Sequence, residues 1–182
     1  MKLNWFFLTL FYSGHSPKAP GTVGTLVSLP LGVAVLILLG PQTLFLLTLL
    51  ITLIAIKIID HYEAQSGIHD NQKIVIDELV GMWFALSIAP GIMFTLGDLS
   101  ILSNGITVQI ILSFIFFRIY DIKKPSIIGR IDRNTKGGWG VMGDDIVAGF
   151  AAGISAALLW QGFLKLSAFY AITRFLPPCL AA

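Results

Sequence analysis

Apolar residues run along this chain in long blocks, and polar ones gather in short segments between them. No charge occurs between Lys18 and Lys57, a run broken only by the turn signal Gly40-Pro41. A second block, Leu79 to Phe117, carries only Asp98, inside the turn-like stretch Gly97-Asp98-Leu99-Ser100, and a third runs from Ile146 to Leu164. At about 1.5 Å per helical residue, each half of the first run is long enough to cross a bilayer core of roughly 30 Å. The blocks predict helices over about 23–39, 42–58, 79–97, 104–118 and 146–164. Met1–Phe11, with one lysine and an apolar run but no small-residue cleavage pattern after it, reads as an interfacial or half-inserted helix that stays on the protein. The expected fold is all-α, a polytopic helical membrane protein with four to five membrane-embedded helices. It forms a single domain over residues 1–182, with no internal repeat or linker composition.

Composition strengthens this reading. Hydrophobic residues make up 55% of the chain and charged ones 12%, with a mean hydropathy of +0.84. A chain of 182 residues cannot wrap so much apolar surface as a soluble bundle of buried helices. The charges are also confined. Nine of ten acidic residues, nine of twelve basic ones and all three histidines lie in residues 12–22, 57–78 and 118–145. Threading the five helices returns these three segments to one face. They hold nine Lys/Arg against Lys165 and Arg174 opposite, so the positive-inside rule turns that face to the cytoplasm. Cys179 is the single cysteine, which rules out an intrachain disulfide.

Charge is costly near lipid, so its confinement marks the three segments as the place for chemistry. In the first, Ser13 to Thr25, Thr22 is the expected N-cap, while Gly21 and Gly24 leave room for a ligand at a helix N-terminus able to seat an anion. The Gly-Lys-Ser/Thr ending of a Walker loop is absent. The second segment ends in Asp77-Glu78 at the mouth of an apolar helix, where two unpaired carboxylates call for a cation. Gly81 shares a face with Asp77 and leaves room beside it, and His61, His69 and Asp70 are softer candidates. In the third, Arg118, Asp121 and Lys124 recur every three residues on a helix that Pro125 ends. Asp132-Arg133 and a glycine-rich run from Gly137-Gly138 to Asp144-Asp145 follow. Asp145, Gly149 and Gly153 share a face suited to close helix packing. Alternating acids and bases suit phosphate chemistry: carboxylates hold a cation, and Arg and Lys neutralise phosphoryl oxygens. All-oxygen ligands favour magnesium over zinc.

These residues resemble the phosphatidylglycerophosphatase A family of bacterial membrane lipid phosphatases. The resemblance rests on Ser16-Pro17 with Pro20-Gly21-Thr22-x-Gly24, on Ile74-Val75-x-Asp77-Glu78-x-x-Gly81-Met82-Trp83, and on Phe117-Arg118-x-x-Asp121-x-x-Lys124-Pro125. It continues through Asp132-Arg133 and Gly137-Gly138 to Asp144-Asp145-Ile146-Val147-Ala148-Gly149, with Ile127 departing from the usual Lys-Pro-x-Pro. The resemblance implies a magnesium-dependent enzyme of the bacterial inner membrane that hydrolyses phosphatidylglycerophosphate to phosphatidylglycerol. Its expected catalytic residues are Asp77, Glu78, Arg118, Asp121, Lys124, Asp144 and Asp145, the five acids doubling as Mg²⁺ ligands. Its expected substrate contacts are Pro20, Gly21, Thr22, Gly24, Asp132, Arg133, Gly137 and Gly138. The expected partners are that lipid and the bilayer, with no nucleic acid.

Other chemistries fit less well. A Cys-x5-Arg phosphatase is excluded because only Leu-Ala-Ala follows Cys179, and neither the Asp-x-Asp of haloacid-type phosphatases nor the Asp-Gly-x-x-Ala-Arg of phospholipid-synthesising transferases occurs. A small ion or solute transporter is the alternative, but its working charges belong inside the spans, which here are almost free of charge.

Overall fold

Gly40 reverses the first apolar run. The computed structural model describes residues 2–69, 71–89, 105–125 and 127–175, without the side chains of residues 2, 132–134 and 171–175. In it the helix α2, Pro20–Ser66, is interrupted at Gly40, whose φ of 82° and ψ of 169° suit only glycine. An unbroken helix would hold Thr25 about 57 Å from Glu63. Instead Thr25 bonds Glu78, and Glu63 lines the same cavity as Glu78. The two arms of α2 are therefore a hairpin, matching the expected helices over 23–39 and 42–58.

The remaining elements are α1 (Lys2–Leu8), a 3-10 turn at Ser13–His15, α3 (Ile76–Ile88), α4 (Ile106–Lys123), α5 (Ile127–Asn134) and α6 (Gly138–Phe175). There is no strand among the described residues. α3 is the central helix. Glu78 to Ser87 are all buried, and the element packs on both α2 and α6. The Trp83 indole N–H donates to the Ser28 carbonyl at 2.9 Å, while Phe84 meets Phe45 and Phe150 at ring distances of 5.5 and 4.7 Å. α3 and α6 touch backbone to backbone. A Cβ on Gly149 would run into Gly81, and one on Gly153 into Ile88 and Ala85. α1 docks at the polar end, where the Val75 N–H donates to the Leu8 carbonyl at 3.0 Å and Trp5 lies against Tyr62.

Many helix contacts involve small or hydroxyl-bearing residues, beside a buried core of large apolar side chains centred on α3. The buried face of α2 contains Gly24, Thr25, Ser28, Gly32, Gly40, Thr48 and Thr52, and that of α6 contains Ala148, Ala152 and Ala156. Hydroxyls on this face are satisfied by their own helix, as Thr48 by the Leu44 carbonyl at 2.6 Å and Thr52 by that of Thr48 at 2.8 Å. Many other large side chains point outward, Leu38 being 76% exposed, Leu46 65% and Leu158 68%, whereas Leu36, Leu44 and Ile59 are buried.

By length and composition, two of the described helices qualify as candidate membrane spans, Pro20–Ser66 and Gly138–Tyr170. This is fewer than the expected four to five, for physical reasons. α2 is a single element carrying two predicted helices. α4 holds Arg118, Asp121 and Lys123 within its 18 residues. α3 has 13 residues, and the rest of the helix expected over 79–97 lies outside the described residues, as does Asp98. α6 begins eight residues before the expected helix and continues beyond it.

Candidate active site

The first turn of α3 presents two acids to the polar end of the molecule. A helix N-terminus favours negative charge there, and the Asp77 Oδ1 accepts the Glu78 N–H at 3.0 Å. Glu78 points inward and is held from two elements, α2 and α4. Its Oε2 accepts the Thr25 hydroxyl at 2.7 Å and the Arg118 Nη1 at 2.6 Å, and Gly21 passes so close to Oε1 that a Cβ would collide with it. Arg118 Nη1 also pairs with Asp121 Oδ2 at 2.7 Å, one helical turn further along α4. Its Nη2 donates to the Thr22 hydroxyl at 3.0 Å, whereas its buried Nε has no partner.

The second turn of α6 supplies Asp144 and Asp145, both buried. Asp144 Oδ2 pairs with Lys124 Nζ at 2.7 Å. Asp145 joins Glu78 and Asp121 in a triad that could hold a metal ion, with one carboxylate oxygen from each lying within 4.8 Å of the others. Three carboxylates share this space, with the Arg118 guanidinium bonded to two of them. Burial pushes the Glu78 carboxyl above its usual range, and Asp121 adds to the rise, against the pull of Arg118 and Thr25. Burial likewise pushes Asp77 well up, with Glu78 as the next cause. Such a cluster favours either protons or a cation, and an all-oxygen set of this kind suits a hard divalent ion.

A cavity of about 340 Å³ opens beside the triad. Asp77, Glu78, Asp121, Lys124, Asp144 and Asp145 all line it, as do Gly137, Glu63, His69, Thr135 and Lys136. The three polar segments of the sequence thus converge on one end. The first contributes through Thr22 and Thr25, which brace Arg118 and Glu78 behind the cavity.

Several expected roles are replaced by structural ones. Thr22 is not the N-cap: α2 starts at Pro20 after Ala19, and Thr22 serves Arg118 instead. Gly21 makes room for Glu78 and Gly24 for Val75, so neither leaves space for a ligand. Pro20 lines a different cavity with Lys73. The space beside Gly81 is filled by Phe117 and the Asp145 carbonyl. Gly138 sits over Ile56, and its N–H donates to Asp60 Oδ1 at 2.7 Å, which ties the start of α6 to α2. Arg118 meets carboxylates rather than standing open to a phosphate. Asp132 and Arg133 lie in α5, with side chains outside those described.

Glu63, Thr25, Asp60, Thr135 and Lys136 were not foreseen. Thr25 had a readable signal, since it stands four residues after Gly21 on the same helical face. Glu63 is an acid in the last turn of an apolar helix, where negative charge opposes the dipole.

The chain is similar to known proteins over most of its length. Residues 6–160 match the family described as Phosphatidylglycerophosphatase A. The chain is 37% identical over 158 residues to Phosphatidylglycerophosphatase A of Escherichia coli K12, covering 86% of this chain and 81% of that protein. It is 34% identical over 142 residues to Phosphatidylglycerophosphatase A of Haemophilus influenzae, covering 78% and 79%. A Bacteroides thetaiotaomicron protein named as a candidate phosphatidylinositol-3-phosphatase is 36% identical over 146 residues, covering 78% and 83%. No solved structure matches the chain significantly.

Proposed function

The chain belongs to the phosphatidylglycerophosphatase A family, and from that membership we propose that it hydrolyses the phosphomonoester of phosphatidylglycerophosphate, releasing phosphatidylglycerol and phosphate. The observation that carries this reading is the convergence of Glu78, Asp121 and Asp145 on one cavity that Lys124 and Lys136 also line. We assign Mg²⁺ to that triad, because its donors are all carboxylate oxygens and no cysteine or histidine belongs to it. When bound, the ion supplies Lewis-acid polarisation of the phosphoryl group and neutralises its charge.

The protein's own groups do the rest. Arg118 holds Glu78 and Asp121 at their spacing, and Thr22 and Thr25 fix the guanidinium in turn. Lys124 and Lys136 attract the phosphate and stabilise the charge that builds on its oxygens. Asp144 positions Lys124. Gly137, at a φ of 71°, lets the α5–α6 turn pass close to Asp60 on the cavity's edge.

For the setting, we propose a multi-pass protein of the bacterial inner membrane with four to five membrane-embedded helices and the polar end in the cytoplasm. The exposed leucines along α2 and α6 support this, together with the close contacts that Gly149, Gly153 and the buried alanines of α6 allow. The lipid tails then stay among those outer faces while the headgroup enters the cavity. The transporter alternative loses ground, because the carboxylates gather at one end instead of lining a path between helices.

The Bacteroides relative bears the name of a different lipid phosphomonoesterase, so the shared chemistry is a phosphomonoester on a membrane lipid. Cells stripped of their own phosphatidylglycerophosphate phosphatases decide between headgroups. They should accumulate that lipid, and expression of this chain should clear it. Accumulation that persists while phosphatidylinositol 3-phosphate is cleared would move the substrate to the inositol lipid.

A further inference from the structure

The last turn of α2 and the loop after it build a second reactive pair beside the acidic triad. Gly67 ends α2 in the left-handed conformation, at a φ of 68°, and its N–H donates to the Glu63 carbonyl at 2.9 Å. The chain turns back there. Ser66 accepts the Ile68 N–H at 3.2 Å, and the Asn71 side chain donates to the Tyr62 hydroxyl at 2.8 Å, so the loop is pinned on both sides of His69. His69 Nδ1 consequently lies 2.8 Å from Glu63 Oε2. The Glu63 side chain is 6% exposed and that of His69 70% exposed, and both line the triad's cavity. None of the other described histidines does.

From this arrangement we infer that His69, oriented by Glu63, is the general base that takes a proton from the attacking water. A carboxylate on Nδ1 fixes the ring's tautomer and orientation and leaves Nε2 as the nitrogen that takes the proton. This inference rests on the proposed phosphatase reading. In an in-line displacement the attacking and leaving oxygens lie on opposite sides of phosphorus. The leaving oxygen belongs to the glycerol that stays attached to the lipid, so water comes from the opposite, solvent side, and His69 is the highly exposed proton acceptor on the cavity. The water oxygen forms the new P–O bond as its proton passes to His69 Nε2. The bond from phosphorus to the glycerol oxygen breaks, that oxygen takes a proton from solvent, and His69 returns its own proton to solvent. Glu63 is a positioning residue that touches His69 and not the phosphate.

Chemical rescue tests this with the full-length protein in detergent, on phosphatidylglycerophosphate and on p-nitrophenyl phosphate in parallel. His69→Ala should lower kcat on both substrates by about 10² to 10⁴-fold with little change in KM. Added imidazole should restore part of the lost rate, because the exposed position admits it. Glu63→Gln should fall between the two proteins, and imidazole should not raise its rate. Activity within twofold of wild type in His69→Ala overturns the inference. So does a loss that imidazole fails to restore in both His69→Ala and His69→Gly while thermal melting stays unchanged. A loss confined to the lipid substrate also overturns it, by making His69 the proton donor to the leaving oxygen. Wild-type protein that hydrolyses p-nitrophenyl phosphate but not the lipid overturns the substrate assignment and leaves the His69 comparison standing.

Discussion

At the scale of single residues, the site is built from carboxylates that border apolar helices, with Glu78, Asp121 and Asp145 facing one cavity. Asp77-Glu78 and Asp144-Asp145 declared themselves as acids bordering apolar helices, where charge is retained only for a purpose. That Glu78, Asp121 and Asp145 form the triad while Asp144 takes Lys124 required the fold, since sequence spacing cannot rank partners on different helices. The same limit hid Arg118. Its spacing to Asp121 showed a stripe, but its bond to Glu78 comes from α3. Two predictions belong here. Asp145→Asn and Glu78→Gln keep side-chain size and remove charge, so each should lower phosphatase activity by roughly 10²-fold or more in steady-state assays. The raised carboxyls give the second. Asp77 and Glu78 bind protons more tightly in the native state than when unfolded, so folding takes up protons and native stability falls as pH rises. Chelator-treated protein should therefore melt at lower temperature as pH rises above about 4, the ordinary carboxylate range. Mg²⁺ should reverse the loss, which a melting series in detergent with and without the ion would read.

At the scale of elements, glycine carried the most accurate signals and was the most often misjudged. Gly40-Pro41 marked the reversal of α2, and the spacing of Gly149 and Gly153 marked a close helix contact. Gly21, Gly24 and Gly81 looked like room for a ligand, but neighbouring side chains occupy that room. Space left by a missing Cβ is visible in a sequence, whereas its occupant is decided by packing. The helix starts were also misjudged. Pro20 is well suited to a first helical turn, which outweighs Thr22 as a cap. The α3–α6 contact yields a prediction. Gly149→Val places a branched side chain against the Gly81 backbone and should destabilise the protein by about 1–3 kcal/mol, lowering its melting temperature in detergent. Activity should fall with it, because Asp145 lies one turn before that contact on α6.

At the scale of the whole molecule, the segregation of charge predicted that the three polar segments would meet; the second and third line one cavity, and Thr22 of the first braces Arg118 behind it. Of the four to five expected spans, two described helices qualify by length and composition, and α4, which carries Arg118, Asp121 and Lys123, does not. Orientation yields a prediction. With Cys179→Ser as background, Asn71→Cys and Lys136→Cys should both be shielded from an impermeant thiol reagent in intact cells, since both positions lie at the polar end. Labelling of either from outside would reverse the proposed orientation. The central claim, a metal-assisted lipid phosphatase built on Glu78, Asp121 and Asp145, meets its most direct test in phosphate release from phosphatidylglycerophosphate by the purified protein. Release should be rapid with Mg²⁺, abolished by excess chelator and restored when Mg²⁺ is added back. Release that continues undiminished in excess chelator, or no release with Mg²⁺ present, would contradict it.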